Sequence, residues 1–276
     1  MEKTLYVSDL DGTLLNRQSK ISERSLAILN SLIDRGLPFT YATARSLQSA
    51  RVVTAGLRVN LPVVVYNGTF LMDPVSGAIK NACTFTDQER LDAMERFQSS
   101  GVTPLVYTVW KGRDRVLWYR GAEKDPRIKK YLDSREGDPR LIPADTPEAA
   151  YRGEIFYYTC IGSHGALADL AQEFQRDARY TCLFQREIYT DDEYWLEVMP
   201  KHATKAEGIH RLKELCGYDR IVSFGDALND IPMFRGSDEA YAVENAVPEL
   251  KAAASGIIGS NEEDGVANWL LENCSM

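Results

Sequence analysis

The chain carries two groups of acidic residues whose spacing could do chemistry. In LYVSDLDGTLLN, Asp9 and Asp11 stand two positions apart at the end of an apolar run, followed at once by Gly12 and Thr13. In GDALND, Asp226 and Asp230 stand four apart after the run RIVSF, so both can face one side if a helix begins there. Each group alone has an ordinary explanation: Asp-Gly is a common turn pair, and Asp226 or Asn229 suits a helix cap. Together they need more. Two acidic clusters ending strands of one sheet repel unless a proton or a cation intervenes, because neighbouring carboxylates raise each other's pKa. A divalent ion is the economical answer, and Mg²⁺ suits carboxylate, carbonyl and water oxygens at a phosphate site. Thr43, in YATAR, adds a hydroxyl and neighbouring backbone amides at another strand end, and Lys205 adds a cation near a helix start. Singly these would be a capping threonine and a solvated lysine; with four carboxylates they describe a phosphate site.

The elements that must position these residues follow a rhythm. Residues 4 to 8 read as a short buried strand; Ser22 caps a helix with Leu26, Leu29 and Ile33 on one face and Gly36 as its stop. A strand at Pro38 to Ala42, a helix from Leu47 to Leu57 and a strand at Pro62 to Tyr66 complete a strand-helix alternation. That alternation predicts a parallel sheet covered by helices, with ligands at the carboxyl ends of its strands. From residue 84 the rhythm changes. Helix 87–99 precedes strands TPLVYTVW and RVLWYR; helix 165–178 precedes strands 180–187 and 194–199, joined by the polar turn TDDE. A charged helix at 126–135 and the strand EIFYYTCIG lie between them. Helices followed by hairpins describe an α+β insert at 84–199. After Pro200 the first rhythm resumes, with helix 205–216, strand RIVSFGD, helix 230–235, strand AYAVEN, helix 248–254 and a closing helix on DGVANWLLE. The α/β domain is therefore expected in two segments, 1–83 and 200–276.

Composition narrows the function classes. The 276 residues are 44% hydrophobic and carry a net charge of −8, so the overall field repels nucleic acid and anionic membranes while leaving room for a local pocket for one small anion. The amino terminus lacks a basic and apolar leader pattern, and no segment is long and apolar enough to span a bilayer, so a cytoplasmic protein is expected. Five scattered cysteines without a CxxC pair argue against a disulfide framework or a thiolate zinc site, and three dispersed histidines give no histidine metal cluster. Any metal should be a hard one held by oxygen. Asn67-Gly68 reads as a hairpin turn, and Asn245 and Asn261 as residues that orient loops.

Taken in order, these motifs resemble the haloacid dehalogenase-like superfamily of Mg²⁺-dependent phosphohydrolases, and specifically its Cof-type members with a type IIB cap. DLDGT resembles the first motif, Thr43 the second, Lys205 the third and GDALND the fourth; VYNGT, AVENA and GSNEEDGVANWL resemble Cof-type segments. Ala44 and Ala206 stand where glycines are usual, both small enough to keep the chemistry. The resemblance implies an α/β fold with a Rossmann-like parallel sheet core and an inserted α+β cap that closes over the site. It implies Asp9 as the nucleophile that becomes an aspartyl phosphate and Asp11 as acid and base. Mg²⁺ would be held by Asp9, the Asp11 carbonyl and Asp226, with Asp230 steadying that shell. Thr43, Lys205, Asn229 and the backbone amides of Leu10 and Ala44 would hold the phosphoryl oxygens.

The expected function is hydrolysis of a phosphomonoester on a small cytosolic metabolite, a sugar phosphate or a phosphorylated cofactor. A phosphoryl transferase or mutase would use the same aspartyl phosphate. A phosphate-binding, receiver-like regulator is a third reading, disfavoured by Asp11, since a receiver needs no acid or base two residues after its nucleophile. Oligomeric state has no signature in the sequence.

Overall fold

The computed structural model describes residues 2–187 and 192–274. Their contacts divide into two compact units, Met1–Ala82 with Ala203–Met276, and Cys83–His202.

In the first unit, β1 (Thr4–Ser8) is a buried apolar run that leads through an irregular turn at Leu10–Leu14 into α1 (Glu23–Asp34). The Ser22 hydroxyl accepts from Ser25 N and starts this helix, which buries Leu29, Leu32 and Ile33. Then come β2 (Phe39–Tyr41), α2 (Leu47–Val53) and β3 (Val63–Val65). The helix expected to reach Leu57 stops at Val53, because Gly56 takes a φ of +90° that helical backbone excludes.

The strand expected at 62–66 departs from the parallel plan. It makes one parallel bridge, Ala42 to Val64, and then reverses. Tyr66, Asn67 and Gly68 have φ of 50°, 54° and 99°, and these successive left-handed residues turn the chain into β4 (Phe70–Met72), antiparallel to β3. The Asn67-Gly68 hairpin is thus present. It opens a three-stranded sheet completed by β5 (Ile79–Ala82), two strands the sequence pattern did not announce.

The second unit holds α3 (Asp87–Ser100), β6 (Leu105–Trp110), β7 (Arg113–Tyr119), α4 (Pro126–Asp133), β8 (Leu141–Ala144), β9 (Glu154–Gly162), α5 (His164–Arg176), β10 (Tyr180–Arg186) and β11 (Tyr194–Pro200). They form one sheet in the order β10-β11-β9-β6-β7-β8, antiparallel except between β7 and β8. Alternation along the strands feeds both faces. Val106, Tyr158, Leu196 and Val198 pack with Phe97 of α3 and Phe174 of α5, while Leu105, Val116 and Ile161 pack with Ile128 and Leu132 of α4. Of the TDDE turn, Thr190 and Asp191 lie outside the described residues.

The chain then returns to the first unit with α6 (Lys205–Cys216), β12 (Arg220–Gly225), α7 (Ile231–Arg235), β13 (Glu239–Val243), α8 (Pro248–Lys251), β14 (Gly256–Ile258) and α9 (Gly265–Asn273). The α/β reading holds: β14-β13-β12-β1-β2 is a fully parallel sheet. From β1 the chain steps one way to β2; from β12 it steps the other way to β13 and β14. That reversal opens a crevice at the carboxyl ends of β1 and β12, where doubly wound sheets hold their ligands.

Gly68 ties the β3-β4 turn to the start of α6. A Cβ there would lie 1.9 Å from the Thr204 carbonyl oxygen, at a φ of +99°. Gly68→Ala should therefore cost about 2–4 kcal/mol of stability in urea unfolding, well beyond a surface substitution.

Candidate active site

Both acidic groups of the sequence end strands at this crevice. Asp9 follows β1, its N–H donating to the Phe224 carbonyl of β12 at 2.9 Å. The turn after it is closed by Leu15 N to Leu10 O at 2.8 Å and depends on Gly12, whose φ is 75°. A Cβ on Gly12 would sit 2.2 Å from Asp226 Oδ2, so this glycine is what lets the two loops meet. Thr13 Oγ1 donates to Asp226 Oδ1 at 2.9 Å across the same gap. At the end of β12, Asp230 turns back so that Oδ2 accepts from the N–H groups of Asp226 and Ala227, at 3.1 and 3.2 Å.

Lys205 joins the two groups. It is the first residue of α6, where the helix dipole disfavours a cation, and its side chain is buried. Its ammonium lies 2.7 Å from Asp9 Oδ1 and 2.7 Å from Asp230 Oδ1. Burial works against this charge, but the two carboxylates overcome it and hold the lysine more strongly protonated than usual. The reading of Lys205 as a solvated lysine is excluded.

Two carboxylates therefore share one ammonium, and a third, Asp226, lies beside them without touching it. One oxygen from each of Asp9, Asp226 and Asp230 lies within 4.8 Å of the others. At that separation two carboxylates repel by at least about 3 kcal/mol, at an effective dielectric constant of about 20. Burial pushes the Asp226 carboxyl up to about 6, against the Thr13 hydrogen bond. Burial likewise raises Asp9, with the Asp230 charge adding and Lys205 opposing. A largely buried, all-oxygen group, with Asp226 half-buried and a surplus of negative charge, fits a hard divalent cation such as Mg²⁺.

Thr43 is fully buried beyond β2, its N–H on Val64 O at 2.9 Å and its hydroxyl accepting from Arg45 N at 3.1 Å. It does not cap α2; Ser46 does. Ala44 is exposed, and Asn229 is exposed in the turn Leu228–Asp230.

Arg45 is the residue that sequence reasoning missed. Its Nε and Nη2 grip Asp11 Oδ2 and Oδ1 at 2.8 and 2.6 Å, and Nη1 donates to Ser49 Oγ at 3.1 Å. A bidentate pair of this kind fixes the plane of a carboxylate. The signal lies in topology, not spacing: the register Ser8 opposite Tyr41 sets residues 9–11 beside 42–45. Asn245 and Asn261 orient loops, as their sequence context suggested, by donating to the carbonyls of Gly12 and Leu15.

This geometry meets an independent finding. The sequence pattern of the haloacid dehalogenase-like hydrolases matches residues 6–270. The chain belongs to that family. Within it the hydrolase is an enzyme of the phosphatase kind, as its curated relatives are named. It is 24% identical to the 5-amino-6-(5-phospho-D-ribitylamino)uracil phosphatase YwtE of Bacillus subtilis, over 95% of each chain. It is 26% identical to the HMP-PP phosphatase of Yersinia enterocolitica, over 96% of this chain and 93% of that one. Among solved structures, TM0651 of Thermotoga maritima superposes with a TM-score of 0.79 at 25% identity, covering 100% of the hydrolase and 98% of TM0651. BT1666 of Bacteroides thetaiotaomicron shares the fold at a TM-score of 0.75 and 20% identity, over 99% and 95% of the two chains.

The raised carboxyls give the site a pH signature. Asp226, at about 6 when folded, keeps a proton that the unfolded chain releases near pH 4. Its contribution to stability is present below about pH 4 and lost as pH rises through about 6; Asp9 acts in the same direction. A divalent cation held by these oxygens would replace that proton. Added Mg²⁺ should therefore raise the melting temperature clearly at about pH 7.5 and little at about pH 4.5, measured by thermal unfolding in EDTA and in MgCl₂.

Proposed function

We propose that the hydrolase is a Mg²⁺-dependent phosphomonoesterase for a small phosphorylated metabolite, a sugar phosphate or a phosphorylated cofactor, working through a phosphorylated Asp9. The observation that carries this reading is the Lys205 ammonium on Asp9 Oδ1, which orients a buried carboxylate at the strand end where ligands gather. In this reading Asp9 Oδ2 attacks phosphorus while Asp11 gives its proton to the departing alcohol oxygen. Asp11 then takes a proton from water, the water oxygen attacks phosphorus, and the Asp9 carboxylate is released with inorganic phosphate. Arg45 holds the Asp11 carboxylate in one plane between these steps.

Mg²⁺ held by Asp9, the Asp11 carbonyl and Asp226 would supply the positive charge that lets an anionic nucleophile approach a phosphate dianion. Asp230 has both oxygens engaged, by Lys205 and by two backbone amides, and supports this shell. Thr43, Lys205, Asn229 and the amides of Leu10 and Ala44 hold the phosphoryl oxygens. The names of the two curated relatives, each a phosphatase for a small phosphorylated compound, support the substrate class.

A phosphate-release screen of the purified protein against sugar phosphates, phosphorylated cofactors and nucleotides tests the proposal. Release should require Mg²⁺, stop with EDTA and return on adding the metal. Asp9→Asn should abolish turnover, and Asp11→Asn should lower kcat by about 10²- to 10⁴-fold. Near-native release by Asp9→Asn would remove the nucleophile, and an isomerised sugar phosphate without free phosphate would make the enzyme a mutase.

A further inference from the structure

The segment after β13 grips both acidic loops. Asn245 Nδ2 donates to Gly12 O at 2.7 Å, and two residues on, Val247 N donates to Asp226 O at 2.9 Å. The Asn245 amide is itself locked: Oδ1 accepts from Asn261 N at 3.0 Å, while Asn261 Nδ2 donates to Leu15 O at 2.8 Å. A reversed amide would set an N–H against an N–H and a carbonyl against a carbonyl, losing both bonds.

The carbonyl that Asn245 holds sits where backbone orientation matters. Gly12 O belongs to the Gly12–Thr13 peptide, which follows the Asp11–Gly12 peptide in a turn whose dihedrals swing from ψ 123° at Asp11 to φ 75° at Gly12. The next residue, Thr13, donates to the Asp226 carboxylate, and the missing Cβ of Gly12 makes room for that carboxylate. Rotation of the Gly12–Thr13 peptide would therefore move Thr13 against Asp226 and, through the shared Gly12 Cα, shift the adjoining Asp11–Gly12 peptide that carries the Asp11 carbonyl.

We infer that Asn245 is a positioning residue for the divalent cation, fixing through the Gly12 carbonyl the two groups that would hold it. The inference rests on the cation reading above. It goes beyond an ordinary loop hydrogen bond because Asn245 is exposed, so its removal opens no core.

Thermal unfolding of the full chain across a MgCl₂ titration tests it, for wild type, Asn245→Ala and Asn261→Ala. The cation-free midpoint of Asn245→Ala should stay close to wild type, while the Mg²⁺ concentration giving half the stabilisation rises about 10- to 100-fold. Asn261→Ala, which keeps Asn245 but unlocks its amide, should raise that concentration by less. An unchanged half-stabilising concentration in both variants would overturn the inference and leave Asn245 a structural residue, whatever the cation-free midpoints. A wild-type protein indifferent to Mg²⁺ would overturn the cation reading and this inference with it, and that result is read from the wild type alone.

Discussion

A single buried ammonium decides how the first unit is put together. Lys205 enters a helix at the end where the dipole opposes it and loses its hydration, and two carboxylates at 2.7 Å make that placement tolerable. Those carboxylates come from the ends of β1 and β12, so one contact fixes three segments. A buried ion cluster is a weak source of net stability, because desolvation consumes most of its Coulomb energy. What it supplies is geometry, held where the side chains of Lys205, Asp9 and Asp230 are almost wholly shielded from solvent.

The same cluster explains the small residues around it. Gly12 and Gly225 each stand where a Cβ would strike an aspartate, Asp226 of the facing loop for Gly12 and Asp230 of its own turn for Gly225, so close approach governs these positions, not turn propensity alone. The sheet order brings this about. β1 lies between β2 and β12, in register through Ser8 with both Tyr41 and Phe224, and the residues that follow the three strands converge.

Much of this was legible in the sequence. The strand-helix rhythm and the motifs DLDGT and GDALND pointed to a parallel sheet with acidic strand ends, because buried runs and their terminating polar residues are local features. Arg45 was not legible as the partner of Asp11, since 34 residues separate them and only pairing of β1 with β2 makes them neighbours. The reversal after β3 escaped because Tyr66 gives no hint that it will adopt a positive φ; its fate follows from Asn67 and Gly68 beside it. β5, four residues with three of them exposed, has too little apolar pattern to be seen. The roles of Asn245 and Asn261 were legible in kind, but their targets needed the fold.

The first unit is written in two pieces, with Cys83–His202 between them. Asp9, Asp11, Thr43 and Arg45 belong to the earlier piece, and Lys205, Asp226 and Asp230 to the later one. On the ribosome, the intervening stretch takes roughly 6–24 s to make at about 5–20 residues per second. During that interval β1 has emerged while β12, its neighbour on one side, does not yet exist. The nascent chain must therefore carry an apolar strand with one edge unpaired until translation reaches β12 and supplies its mate.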